Sequence, residues 1–168
     1  MRKLFRRYLE RLEKIEMGEN RMKYLLLDID DTIAPLKVGG PNMVIIDSMG
    51  MELAIPKYIA DWLKKASEKQ TKIFWCTDRP PILGSLIERT IGFKTEGQLQ
   101  FYNTKAYEWS KLYGIIEFCN EHENDLVVLA DNLVERMTKG VELPSNLKTV
   151  LPSDATLTIE DLKLIDSL

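Results

Sequence analysis

Long hydrophobic runs are missing from this chain, and charge interrupts every apolar stretch near its N-terminus. No segment is therefore expected to span a bilayer or to act as a secretory signal, and a cytoplasmic protein is expected. Cysteine is scarce. Cys76 and Cys119 lie in apolar surroundings without metal-ligand spacing, which predicts two buried free thiols in a reducing cytosol. Neither sign of charge is in large excess. The net charge of −3 provides no global positive field for nucleic acid or membrane, although a local basic patch stays open. Internal repeats, low-complexity tracts and linkers are also missing. What is present is an ordinary globular composition, 45% hydrophobic and 29% charged, in 168 residues, enough for one domain with a proper core.

Residues 2–17 have apolar positions at helical spacing (Leu4, Tyr8, Leu12, Ile15) opposite a face rich in Arg and Lys. An amphipathic helix over 1–18, ended by Gly18, is expected to dock on the main domain of residues 19–168, or to bind a partner. Tyr24–Ile29 is a short continuous apolar run, the pattern of a strand buried on both faces. Val38 and Met43–Ile46 could pair as a β-hairpin across Gly39-Gly40-Pro41-Asn42. Pro56 opens a helix with an apolar face of Ile59, Trp62, Leu63 and Ala66. Lys72–Thr77 reads as a strand, Ile82–Ile91 as a helix stopped by Gly92, and Ala106–Cys119 as a further helical pattern. Strands follow at Leu126–Ala130 and Lys148–Leu151. A last helix over Thr158–Leu168 has Thr158 as N-cap and Asp161 three residues on, a near capping box. This alternation predicts an α/β fold: a single Rossmann-like domain whose parallel sheet is flanked by helices.

Ligands in such sheets bind beyond the carboxyl ends of the strands. There the sequence places Asp28-Ile29-Asp30-Asp31-Thr32, then Thr77-Asp78-Arg79, then Asp131-Asn132, with Lys111 in the helical segment feeding the third of these strands. On an extended backbone, residues two apart point the same way, so Asp28 and Asp30 can face one cavity. Converging carboxylates repel one another, and a hard divalent cation such as Mg2+ relieves that repulsion. Asp28, Asp30 and Asp131 are the expected metal ligands.

Asp28-Ile29-Asp30-Asp31-Thr32 after a buried strand resembles the Asp-x-Asp-x-Thr signature of the haloacid dehalogenase superfamily. The resemblance covers roughly residues 23–151. It implies Asp28 as nucleophile and Asp30 as general acid/base. Thr77 stands for the hydroxyl expected at the end of the next strand, Lys111 for the following lysine and Asp131 for the last acid. Thr32 and Arg79 are assigned to the substrate, with a surface turn before Pro80-Pro81 as the other reading of Arg79. Lys105 is the alternative to Lys111, which is preferred because Ile115 and Phe118 fit the helix that follows the family's lysine; that choice implies a helix beginning near Ser110, with Lys105 in the preceding loop. The last motif departs from the common pattern, with Ala130 where many members have Gly and Asn132 where others have a second Asp. Glu135 resembles the second acid of a longer variant.

The implied activity is that of a magnesium-dependent phosphoric monoester hydrolase working through an aspartyl-phosphate. Residues 33–55 leave room for a hairpin flap and no cap domain. That predicts an open site for a macromolecular phosphorylated substrate, such as nucleic-acid ends or a phosphoprotein. The segment Leu151–Thr158 is similar to small uncapped members associated with RNA-repair proteins. The alternatives are a nucleotidase or other small-molecule phosphatase, and a catalytically silent domain that binds phosphate or a partner.

Overall fold

The computed structural model of the chain describes residues 21–37, 40–48, 50–101 and 108–168. The expected helix over 2–17, Val38 and Lys105 lie outside the described residues. Four parallel strands form the central sheet in the order β4-β1-β5-β6: β1 (Lys23–Leu27), β4 (Thr71–Trp75), β5 (Leu126–Ala130) and β6 (Leu147–Val150). β1 and β5 are the inner strands, and from Tyr24 and Val127 onward every residue of each is buried. That is why both read as unbroken apolar runs rather than as alternating ones.

Side chains of successive strand residues go to opposite faces. Leu25, Leu27, Ile73, Trp75, Val128 and Ala130 pack into one apolar cluster with α1 (Lys57–Ser67), α2 (Pro81–Ile91) and α5 (Ile159–Ser167). Tyr24, Leu26, Val127 and Leu129 pack into a second cluster with α3 (Leu112–Glu121). Burying each such side chain stabilises the fold by about 1.5–3 kcal/mol. Helices on both faces of a parallel sheet are compatible with a Rossmann-like fold. Among the described residues, no helix is long and apolar enough to cross a membrane.

Several local expectations meet the structure directly. Gly92 closes α2 in the left-handed conformation (φ 85°) that suits a residue without Cβ. Thr158 and Asp161 form a reciprocal capping box at the start of α5. Cys76 and Cys119 are buried and free. Three further elements refine the expectations. A hairpin joins β2 (Met43–Ser48) to β3 (Met51–Pro56), with Gly50 at its turn. Within the helical pattern of 106–119, helix begins at Leu112 with Lys111 as its cap, close to the start near Ser110 that the choice of Lys111 implies, and Trp109 packs into the core ahead of it. A short helix, α4 (Val134–Met137), follows Asp131 where none was expected.

Candidate active site

The sheet brings three sequence-distant segments to one edge. β1 is in register with both neighbours, Leu27 opposite Trp75 on one side and Ala130 on the other. The ladder runs on past the strand ends: the Asp28 amide donates to the Ala130 carbonyl (3.1 Å) and the Cys76 amide to the Leu27 carbonyl (2.9 Å). Asp28, Thr77 and Asp131 therefore all emerge at the carboxyl edge. From β1 the chain crosses to β4 on one side, whereas from β5 it moves to β6 on the other. The crevice at such a reversal lies between β1 and β5, and Asp28 and Asp131 stand on its two walls.

Lys111 spans that crevice. Its Nζ lies 2.9 Å from Asp28 Oδ1 and 2.7 Å from Asp131 Oδ2. All three side chains are buried, and the ammonium also lies 5.7 Å from the centre of the Trp109 ring, within cation–π range. Asp131 is fixed further by the Leu133 amide, which donates to Oδ1 at 2.7 Å.

Burial pushes the Asp28 carboxyl up from 3.8 to about 6; Lys111 opposes the rise and Asp131 adds to it. Burial works against the Lys111 ammonium, but the fields of Asp28 and Asp131 outweigh it and hold the group above its ordinary 10.5. One lysine between two carboxylates leaves the cluster a unit short of positive charge when all three are ionised. Cys76, beside Thr77, is no rival nucleophile, because burial drives its thiol up and keeps it neutral.

Asp30 takes a different position. β1 ends at Leu27, and Asp30 makes an isolated bridge to Ala34 across a turn in which Asp31 adopts a left-handed φ of 49°. Asp31 Oδ1 accepts from the Leu36 amide (2.9 Å), a local bond that suits Asp to this conformation. The Asp30 carboxylate is held by Arg79 in a two-pronged ion pair, Nε to Oδ2 and Nη2 to Oδ1, both 2.8 Å. Those hydrogen bonds, and then the fields of Asp30 and Asp28, raise the Arg79 guanidinium above its ordinary value. Arg79 is thus more than a surface turn residue, and here it forks onto a carboxylate.

In this structure the three carboxylates expected to hold a metal stand in two separate ion-pair groups, Asp28 and Asp131 with Lys111 and Asp30 with Arg79. Among the described residues, no three His, Cys, Asp or Glu side chains are grouped to hold a metal ion. The carboxylates that converge are Asp28 and Asp131, since Arg79 occupies Asp30. Two buried carboxylates with a deficit of positive charge still fit a hard cation that completes its shell with water, as Mg2+ commonly does. Glu135 is exposed on α4.

Thr32 is fully buried, its hydroxyl accepting from the Asn132 amide (3.1 Å) and its carbonyl from the Leu157 amide (2.8 Å). Its observed contacts tie three loops together. Thr77 is also buried, and its hydroxyl accepts from the Arg79 amide (3.3 Å), leaving its own proton to donate.

No family model, curated protein or solved structure matches this chain.

Two supporting contacts escaped the sequence reading. Gln98 Nε2 donates to the carbonyls of Thr77 (3.0 Å) and Arg79 (2.9 Å), clamping the loop that presents both side chains. Ser110 donates to Asp78 Oδ1 (3.0 Å), tying that same loop to the residue before Lys111. Neither Gln98 nor Ser110 belongs to a motif, so no local signal marks them.

Proposed function

We propose that this chain is a magnesium-dependent phosphoric monoester hydrolase of the haloacid dehalogenase kind, with Asp28 as nucleophile. The observation that carries the reading is Lys111 seated between Asp28 and Asp131 in the crevice at the sheet's carboxyl edge. A carboxyl raised to about 6 is still ionised at neutral pH and is more basic than an ordinary Asp. Asp28 and Asp131 are the residues that would hold a magnesium ion, which when bound would supply Lewis-acid polarisation of the phosphoryl oxygens.

The chain's own groups perform the rest. An Asp28 oxygen attacks phosphorus, the ester P–O bond breaks, and Asp30 gives a proton to the leaving oxygen. Lys111 and the Thr77 hydroxyl neutralise charge on the equatorial oxygens. Asp30 then takes a proton from water, whose oxygen attacks phosphorus and breaks the P–O bond to Asp28, restoring the carboxylate. Asp30 cannot donate while both its oxygens accept from Arg79. A substrate phosphate competes for the same guanidinium fork, and, arriving as its monoanion, it can leave its proton on the freed Asp30, which then gives that proton to the leaving oxygen.

Between Asp28 and α1 the described chain contributes the β2–β3 hairpin and no further sheet. That supports an open site and a macromolecular substrate such as a nucleic-acid end or a phosphoprotein. Hydrolysis of an aryl phosphate with Mg2+ tests the activity. Asp28→Asn is expected to abolish turnover, and Asp30→Asn to slow it by about two to four orders of magnitude. Near-normal turnover by Asp28→Asn would falsify the covalent mechanism, and no turnover by the wild type would leave the silent binding domain. Faster release of phosphate from a 3′-phosphorylated oligonucleotide than from mononucleotides is expected; the reverse order favours the nucleotidase.

A further inference from the structure

At the opposite end of the sheet, where β1 and β4 begin, a cavity of about 420 Å3 opens beside Thr71. Four cationic side chains line it, Arg21, Lys69, Lys72 and Lys94, together with the polar Gln70, and Glu96 is the one carboxylate among its described lining residues. At about 3.3 Å per residue, β1 separates this cavity from Asp28 by roughly 16 Å, so it is distinct from the catalytic crevice.

The cations are poorly compensated. Lys69 lies 3.6 Å from Asp166, a carboxylate that also accepts from the Trp62 indole. Arg21 makes one long bond, 3.5 Å, to the Asp125 carbonyl. Lys72 and Lys94 form no ion pair with any described residue. In a chain of net charge −3 such a gathering is unexpected from composition. Charges within a Debye length, about 8–10 Å, repel one another and build a local positive potential, which a multivalent anion relieves.

We infer that this cavity is a second anion site, built for a linear oligophosphate, either free or as the tail of a nucleotide. Several separated ammonium groups and a guanidinium match a chain of phosphates better than a single carboxylate, and the amide of Gln70 adds a neutral donor. The inference is independent of the catalytic reading.

The test is titration calorimetry on the full chain in low salt with a chelator present, using inorganic tripolyphosphate, adenosine triphosphate and adenosine as probes. Wild type is expected to bind both phosphorylated probes and not adenosine, with affinity falling as salt rises. Equal binding of the two identifies the phosphate chain as the ligand; tighter binding of the nucleotide identifies its tail. Lys72→Glu/Lys94→Glu should weaken binding by at least about tenfold, roughly the factor of one charge-assisted contact. Both positions are exposed, so thermal unfolding should show an intact fold. The milder Lys72→Gln/Lys94→Gln gives a second reading, and aryl phosphatase activity should be unchanged in either variant. Asp28→Asn should bind as wild type does. Unaltered binding in the lysine variants, or a changed affinity in Asp28→Asn, places the anion in the crevice and overturns the proposal. So does failure of wild type to bind either phosphorylated probe.

Discussion

Replacing Lys111 by Met removes the one cation between two buried carboxylates while keeping a side chain of similar length. Lys111, Asp28 and Asp131 are 3%, 5% and 0% exposed, so water cannot take over the lost contacts at 2.9 and 2.7 Å. Breaking a buried pair from one side costs about 3–5 kcal/mol. That is a large share of the roughly 5–15 kcal/mol that holds a domain folded. The loss should depend on pH. Asp28 is already raised from 3.8 to about 6 by burial, against the pull of Lys111. Each unit is worth about 1.4 kcal/mol, so ionising Asp28 by neutral pH already costs the folded wild type about 3 kcal/mol.

In the variant the pull of Lys111 is gone and the repulsion from Asp131 remains, so the carboxyl rises further. A raised acid binds its proton more tightly folded than unfolded. Stability therefore declines as pH climbs from 3.8 through the folded value. The experiment is urea unfolding of wild type and variant at pH 5 and pH 8. The deficit should be about 3–5 kcal/mol at pH 8 and smaller at pH 5 by at least about 1 kcal/mol. Mg2+ should restore part of the stability at pH 8, because a ligand of the folded state stabilises it by mass action. A deficit below about 1 kcal/mol, or one that ignores pH, refutes the claim that Lys111 neutralises this cluster.

Arg79→Ala removes the fork on Asp30 and the proposed grip on phosphate, and should lower kcat/KM for an aryl phosphate by about 10–100-fold, mostly through KM. An unchanged KM would show that the fork never engages substrate. Gln98→Leu frees the carbonyls of Thr77 and Arg79 and should lower kcat with a smaller loss of stability, about 1–2 kcal/mol by thermal unfolding. Loss of stability with full activity would make Gln98 a structural residue alone.

Asp161 accepts from the amides of Ser153 (2.9 Å) and Thr158 (2.8 Å) and from both hydroxyls. Although burial alone would raise its carboxyl, these bonds hold it below 3.8. A depressed acid stabilises the fold above its unfolded value, and that contribution is lost as pH falls through the folded one. Asp161→Ala should therefore cost about 1–2 kcal/mol at pH 7 and progressively less below pH 3.8, as read by urea unfolding at a series of pH values.

Features set by neighbours in sequence were legible in advance. The apolar runs of β1 and β5, the Gly92 stop and the Thr158–Asp161 box each depend on residues within one turn or one strand. Alternation of strands with helices implied a parallel sheet, and a parallel sheet carries its strand-end residues to one edge. Asp28, Thr77 and Asp131 could thus be grouped from the sequence alone. The β2–β3 turn was not legible because 39–42 and 49–50 both hold turn-forming glycine, and which of them closes this pairing depends on the strands that bury Ile46, Ala54 and Ile55. The apolar spacing at Trp109 does not extend the helix, because Trp109 satisfies its apolar demand by packing into the core as loop.

The sequence by itself therefore determined the elements and the edge on which the chemistry-bearing residues stand. Tertiary structure alone decided which of those residues touch. Asp28 and Asp30 are two residues apart, yet one pairs with Lys111 and the other with Arg79, 49 positions away. The basic cavity likewise joins Arg21, Lys69, Lys72 and Lys94 from segments separated along the chain. The physical reason is one of range: backbone periodicity and capping act over a few residues, whereas an ion pair or a charged cavity depends on where the packed sheet brings distant side chains together.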